Sequence, residues 1–515
     1  MSTANRVIKN TGFLYAKMGI TMFISLYTTR LVLNALGTSD YGIYSVVGGA
    51  VAMLGFLNAA MASATQRFMS FYEGRGDRII QKKIFNVSLI LHFGIGIFLA
   101  LILLLAGYFF FNGILNIPDN RMYAAKFVYG SLIVSTVFTV MSVPYQALLN
   151  AHENMFYFSI VGVLESILKL LVALFVVYTA MDKLKMYGVL MAGIPLVILT
   201  IMRIYCHKHY SECVVSPRRF WDKSLLKEMT GFAGWNFLGS TISIVAQYGQ
   251  GIVLNMFFGT RINAAQGVAN QVNGQISVFA ATMLKALNPV IVKSEGAGRR
   301  SSMLKTAMIG SKFSFFLLAF FAIPICIEMP YILHLWIKNV PEYTVVFCRL
   351  LLIISLIDQL FITLPSAISA TGKIRNYQLS VSVLLALPIV LGYILFTMGY
   401  PPYTLYVLFI TQRLIRGFGV VLHFAKKIVG LSKSLFLKQV VVRCLLSTMV
   451  SLSIGILIIA LLEEGLFRLF ISLVFTFIVG LLSSYYIGLA SDEKDQVMLL
   501  YGQAKVKMGE MLKRN

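Results

Sequence analysis

The feature that most limits what this chain can fold into is its succession of apolar runs, each about the ~20 residues a helix needs to cross a bilayer. Read between polar punctuation there are about fourteen. They fall at 11–36, 41–64, 84–111, 123–147, 157–179 and 187–206, then at 229–255, 263–287, 313–336, 346–370, 379–398 and 404–424, and last at 441–462 and 467–490. With no water in the hydrocarbon layer, each run must satisfy its backbone internally, and that selects helices. Composition agrees, with 58% hydrophobic residues, 12% charged and a mean hydropathy of +0.80. The expected fold is all-α, a polytopic membrane helix bundle of about 14 transmembrane helices.

Charge placement gives the orientation. A formal charge of +24 on a soluble domain would point to nucleic acid, but no soluble stretch here is long enough to carry a basic face. Lys and Arg gather instead in alternate connections: Arg67 to Lys83, Lys208 to Lys227, Lys293 to Lys312, Lys426 to Lys438, and the tail from Lys494 to Arg514. The intervening loops are short and hold few cations, among them Arg121, Lys183, Lys185, Arg261, Lys338 and Arg468. The positive-inside rule then puts both termini in the cytoplasm and makes the inner leaflet's lipids the partner of the basic loops. The apolar run after Asn10 lacks a small-residue cleavage site and reads as a retained first span.

The chain carries an echo of itself. Thr11-Gly12-Phe13 matches Thr230-Gly231-Phe232, Leu31-Val32-Leu33-Asn34 matches Ile252-Val253-Leu254-Asn255, and Glu73-Gly74-Arg75-Gly76 matches Glu295-Gly296-Ala297-Gly298, at an offset near 220 residues. This predicts two six-helix repeat lobes, residues 1–210 and 229–440, joined by a cytoplasmic linker at 211–228. Two further spans follow at 441–490, then a tail at 491–515. With an even number of spans between the copies, the halves share one orientation about an axis along the membrane normal.

The second lobe opens with two polar stripes. Asn236, Ser240, Ser243, Gln247 and Gln250 recur at helical spacing, and so do Gln266, Asn270, Asn273 and Ser277. Amide rows this long fit the wall of an aqueous or substrate-filled cavity; the plainer reading is hydrogen-bonding glue between helices.

Ionisable residues inside spans cost at least ~2.5–3.5 kcal/mol each, so each calls for a function or a partner. Glu165 and Lys169 stand at i, i+4 in the fifth run, the order that favours an ion pair. Arg413 and Arg416 share a face of the twelfth; two guanidinium groups suit a phosphate or pyrophosphate, unless a carboxylate such as Asp358 or Glu165 pairs with them. Asp358, at the middle of the tenth run, is a candidate ion-coupling residue for a proton or sodium ion, or else a counter-ion to an arginine. Glu165 and Glu328 are further coupling candidates. Lys17 shares a stripe with Thr21 and Thr28, and Arg30 can snorkel to the outer interface. His92 and His334 read as satisfied interior or interfacial residues.

Pro144, Pro195, Pro324, Pro365 and Pro388 interrupt spans, where such residues kink membrane helices. The five cysteines make neither a disulfide framework nor a metal pattern. There is no Walker motif, zinc-ligand spacing or nucleophile elbow, and no outer loop is long enough for a catalytic domain. The expectation is a protein that is not an enzyme and takes no cofactor or metal.

These residues resemble the multidrug/oligosaccharidyl-lipid/polysaccharide exporter superfamily and, within it, the Wzx-type O-antigen and polysaccharide flippases. The likeness covers nearly the whole chain. It rests on the duplicated halves, on Asn10-Thr11-Gly12 leading to Leu31-Val32-Leu33-Asn34-Ala35-Leu36-Gly37, on Asp40-Tyr41-Gly42-Ile43-Tyr44, and on Gln66-Arg67-Phe68 before Glu73-Gly74. The resemblance implies a MATE-like, V-shaped pair of six-helix lobes with a central cationic cavity and two added helices beside the lipid tail. It also implies a function, moving an undecaprenyl-pyrophosphate-linked oligosaccharide from the inner to the outer leaflet of a bacterial cell inner membrane. An ion gradient or the membrane potential would drive it, and a polysaccharide polymerase and chain-length machinery would be its partners. Of the cationic positions in the first, second and eighth spans of lipid II flippases, Arg30 and Lys285 are loose matches. Lys17, Arg30, Lys169, Arg413 and Arg416, set against Glu165 and Asp358, favour this reading over a MATE-type cation-coupled multidrug exporter, whose cavity calls for carboxylates. A membrane glycosyltransferase or polymerase is disfavoured by the short outer loops.

Overall fold

In a computed structural model the chain is almost wholly helical, with no strand among the described residues, which are 3–495 except 53–54, 115–116 and 338–339, together with Met498. Six helices begin the chain: α1 (Thr3–Ala52), α2 (Gly55–Arg75), α3 (Arg78–Phe109), α4 (Met122–Ala151), α5 (Met155–Tyr178) and α6 (Lys183–His209). The longest, α7 (Lys223–Gly296), is followed by α8 (Arg300–Ile327), α9 (Met329–Ile337), α10 (Thr344–Phe361), α11 (Leu364–Ala370), α12 (Arg375–Thr397) and α13 (Thr404–Leu414). A π-helical stretch, Ile415–Val421, extends α13, and α14 (Arg443–Leu461) and α15 (Leu466–Ser483) close the fold.

Two of these helices are double. At Gly37 (φ 76, ψ 169) α1 breaks into two limbs, and at Gly259 (φ 74, ψ −170) α7 does the same. Glycine is needed at both, since no Cβ tolerates that backbone at low cost. With the limbs separated, the described residues of each expected run fall on helical stretches. Among the described residues, 11 helices are long and apolar enough to cross a membrane, or up to 12 if the bent pair Ala265–Val278 and Ala281–Gly296 is one span.

The repeat is written in the backbone. The interval between Gly37 and Gly259 also separates Gly76 from Gly298, both at positive φ. It separates Arg78 from Arg300, which begin α3 and α8, and Met122 from Thr344, which begin α4 and α10. A duplicated sequence has kept its breaks and its helix starts in register.

The chain forms two compact units. One comprises Asn10–Ser240 with Val292–Gly298; the other is built mainly on Thr241–Ile291 and the chain from Arg299 on. In the first unit α4 packs against α2, α3 and α6, around a core that includes Val47, Leu103, Val128 and Ile133. The stretch 211–228, read from sequence as a linker, lies against the helix ends of this unit. Asn86 accepts from the Ser216 amide at 2.8 Å and donates to Val214 O at 2.7 Å, while Lys83 pairs with Asp222 at 3.0 Å. In the second unit α10 packs on α8 and α13, with Leu254, Leu318, Leu352 and Tyr406 fully buried, and α14 and α15 pack on α8.

Candidate functional site

The second unit concentrates charge where α10 meets α13. Asp358 Oδ1 lies 2.5 Å from Arg416 Nη2, and its Oδ2 lies 3.3 Å from Arg413 Nε. Two local features make this convergence. The π-helical turn after α13 shifts the residue register, a device that recurs at functional sites. Gly417 leaves room for the Phe361 ring, which a Cβ there would strike, so α10 approaches closely. The three side chains are about a quarter exposed or less, 25% for Asp358, 24% for Arg416 and 20% for Arg413. Two cations against one carboxylate leave the cluster with one uncompensated positive charge. Beside it, the buried Gln412 has neither amide atom hydrogen-bonded, and the neighbouring buried Gln359 has a free Oε1. A buried amide without a partner costs ~1–3 kcal/mol.

The first unit has a chemically similar cluster. Lys169 Nζ donates to Glu165 at 2.6 Å, as the i, i+4 spacing predicts. Lys17, from α1, lies over the Phe158 ring at 4.7 Å and within electrostatic reach of both Glu165 and Lys169. Its stem crosses α5 at Gly162, where any Cβ would collide with it. This group again holds two cations and one carboxylate.

The other expected residues divide by environment. Glu328, at the break between α8 and α9, is fully buried; it accepts from Arg468 at 3.0 and 3.3 Å and from Ser472 at 2.7 Å. Asn273 accepts from Ser355 at 2.6 Å, which ties α7 to α10 as interhelical glue. Gln250 and Gln266 are buried, Asn236 is half-buried and Asn270 is exposed. The side chains of Arg30, Ser240, Ser243 and Gln247 lie outside the described residues. His92 is buried, its Nδ1 2.8 Å from Ser88 O. All five cysteines are free.

Sequence reasoning missed two cations. Arg349 donates to Cys326 O at 2.9 Å and Ile327 O at 3.3 Å, satisfying carbonyls at the end of α8. The signal was a lone cation in an apolar run facing a helix that Pro324 interrupts. Lys312, counted among the basic loops, is 1% exposed and bonds both oxygens of Glu493, at 2.7 and 2.9 Å.

No family model and no curated protein matches the chain. Solved structures do. The chain is similar to an outward-facing multidrug resistance MATE family transporter of the MOP superfamily, at 15% identity and a TM-score of 0.71, covering 84% of this chain and 97% of that one. A MATE protein in its bent conformation gives 14% identity and a TM-score of 0.71 over 84% and 96% of the two chains. A MOP superfamily transporter from Pyrococcus furiosus, whose binding pocket is described as of reverse polarity and suggestive of a different function, gives 13% and 0.67 over 85% and 99%. The fold is that of the MATE transporters.

Proposed function

We propose that the chain is a membrane transporter for an anionic lipid-linked substrate, an undecaprenyl-pyrophosphate-linked oligosaccharide that it moves from the inner to the outer leaflet. The observation that carries the reading is the charge balance of the two intramembrane clusters, each with two cations and one carboxylate. An anion gains from both; a cation gains from neither. In the second unit, Arg413 and Arg416 are the phosphate ligands, because guanidinium groups bind phosphate through paired donors and keep their charge. A phosphate that engages them competes with Asp358. The displaced carboxylate then takes up a proton or a sodium ion, which couples substrate to an ion gradient or the membrane potential. Gln412 and Gln359 suit sugar hydroxyls or water beside the phosphate. The inner membrane of a bacterium, with a polysaccharide polymerase and chain-length machinery as neighbours, is the setting this substrate requires.

A second reading is a cation-coupled multidrug exporter, which the solved MATE structures favour. The MOP transporter with the reversed pocket polarity supports the view that this fold accommodates pockets of either sign. Thermal stabilisation of the purified protein separates the two readings. A polyprenyl pyrophosphate should raise the melting temperature, and Arg416→Ala should require about tenfold more of it for the same rise. Stabilisation by tetraphenylphosphonium and none by the pyrophosphate would select the drug exporter.

A further inference from the structure

The repeated Glu-Gly motif has a use that its role in marking the duplication does not explain. Residues 292–298, the end of α7, belong to the first unit, while the preceding 241–291 belong to the other. There the two copies of the motif meet. A Cβ on Gly74 would fall on the Lys293 carbonyl, and a Cβ on Gly296 would fall on the Phe71 carbonyl. The approaches are reciprocal, since Gly74 and Gly296 are repeat mates, and so are Phe71 and Lys293. Nowhere else among the described glycines would a Cβ meet backbone closer than 3.0 Å. The ends of α2 and α7 therefore cross on a local twofold inherited from the duplication, backbone against backbone.

Polar groups surround the crossing at the basic-loop end of the helices. Lys293 Nζ lies 3.4 Å from Glu153 and 3.7 Å from Glu73. Glu73 also accepts from Gln81 at 2.8 Å and from Arg78 at 3.3 Å, and faces His152 Nδ1 at 3.4 Å. His152 Nε2 bonds Glu212, which Arg78 reaches at 3.1 Å. One turn back, the buried Arg67 lies over the rings of Phe68, Phe71 and Phe232. The seam is thus made of glycine backbone lying against carbonyl groups and of largely buried ion pairs, Lys293 being 21% and Glu73 11% exposed, beside the rings of Phe68, Phe71 and Phe232. Charges held this far from water carry a desolvation cost that rehydration returns, so such a joint can part and re-form.

We infer that the paired Glu-Gly motifs form a latch, seated by Gly74 and Gly296 and locked by Lys293 on Glu73 and Glu153, whose release is a step of the working cycle. The inference rests on the transporter reading. It extends that reading by naming the contact that must break for the end of α7 to leave α2. The twofold has a consequence of its own: one added methyl on either partner unseats both helix ends.

Hydrogen exchange in nanodiscs tests the seating without reference to substrate. Gly74→Ala and Gly296→Ala should each raise exchange about tenfold in both 66–76 and 289–297, and the double variant should add little to either. Gly130→Ala, where a Cβ meets open space, is the control for folding. Deprotection confined to the substituted helix would overturn the latch. The working role is tested by bridging Glu73→Cys and Lys293→Cys with a short cleavable bis-thiol reagent. Bridging should hold exchange in both segments at its protected level and reduce transport at least tenfold until the bridge is cleaved. Transport of a substrate, lipid-linked or cationic, that is unaffected by a complete bridge would show fixed packing. Loss of lipid-linked transport in the unbridged protein would count against the flippase reading alone, because the exchange result stands without it.

Discussion

Two charged groups in the second unit look alike in sequence and differ in structure. At α10 and α13, Asp358 is met by two arginines, partly exposed and with charge left over. At the α8–α9 break, Glu328 is met by Arg468 and Ser472, fully buried and balanced. Both are carboxylates in apolar runs, and both were candidates for ion coupling. The second has its charge matched by Arg468, and these contacts tie α15 to the α8–α9 break. Of the two groups, the one that is unbalanced and reachable is the better candidate for a ligand site, and position along a span does not separate them.

The contrast can be broken at its strongest point first. Arg468→Ala leaves Glu328 buried without its counter-charge, and the loss should be about 3–5 kcal/mol. Thermal denaturation should show a large fall in melting temperature, with substrate binding per folded molecule unchanged. A variant as stable as the parent would remove the distinction between the two groups.

The next effect is functional. Arg416→Ala should leave a folded protein whose affinity for polyprenyl pyrophosphate falls about tenfold, close to 1.4 kcal/mol. Asp358→Asn should do the reverse, tightening binding of the pyrophosphate while removing the response of transport to an imposed ion gradient. If both variants weaken binding equally, the carboxylate is a ligand and does not compete with the substrate.

A smaller effect concerns pH. Burial pushes the Glu212 carboxyl up, but the His152 hydrogen bond and Arg78 outweigh it and hold the group below its ordinary value of 4.5. Its contribution to stability is therefore present above about pH 4.5 and is lost as pH falls through the lower folded value. Melting curves should show this loss, and Glu212→Gln should flatten it. The smallest effect is that of Asn273→Ala, which deprives Ser355 of its acceptor and should cost about 1 kcal/mol.

What sequence could convey follows from distance along the chain. Apolar run length fixed the helices, the offset near 220 residues located the duplication, and the i, i+4 spacing gave the Lys169–Glu165 pair. Periodicity on one helix says nothing of which helix lies opposite. Asp358 and Arg416 are 58 residues apart, so their union stayed one of two open readings for the arginines. Arg468 looked like an outer-loop cation and Lys312 an inner one, yet both reach buried carboxylates 140 and 181 residues away. The amide stripes were legible as helix faces, but packing divided them: Asn273 became glue, and Asn270 stayed exposed.

The central claim is that the second-unit arginines carry an anionic head group. The most direct measurement is transbilayer movement of a fluorescent undecaprenyl-pyrophosphate oligosaccharide in proteoliposomes, comparing the parent with Arg413→Ala/Arg416→Ala. The expected result is rapid movement in the parent and its loss in the variant, with both proteins folded. Absence of movement in the parent under any ion gradient, together with gradient-driven efflux of a cationic dye, would contradict the claim.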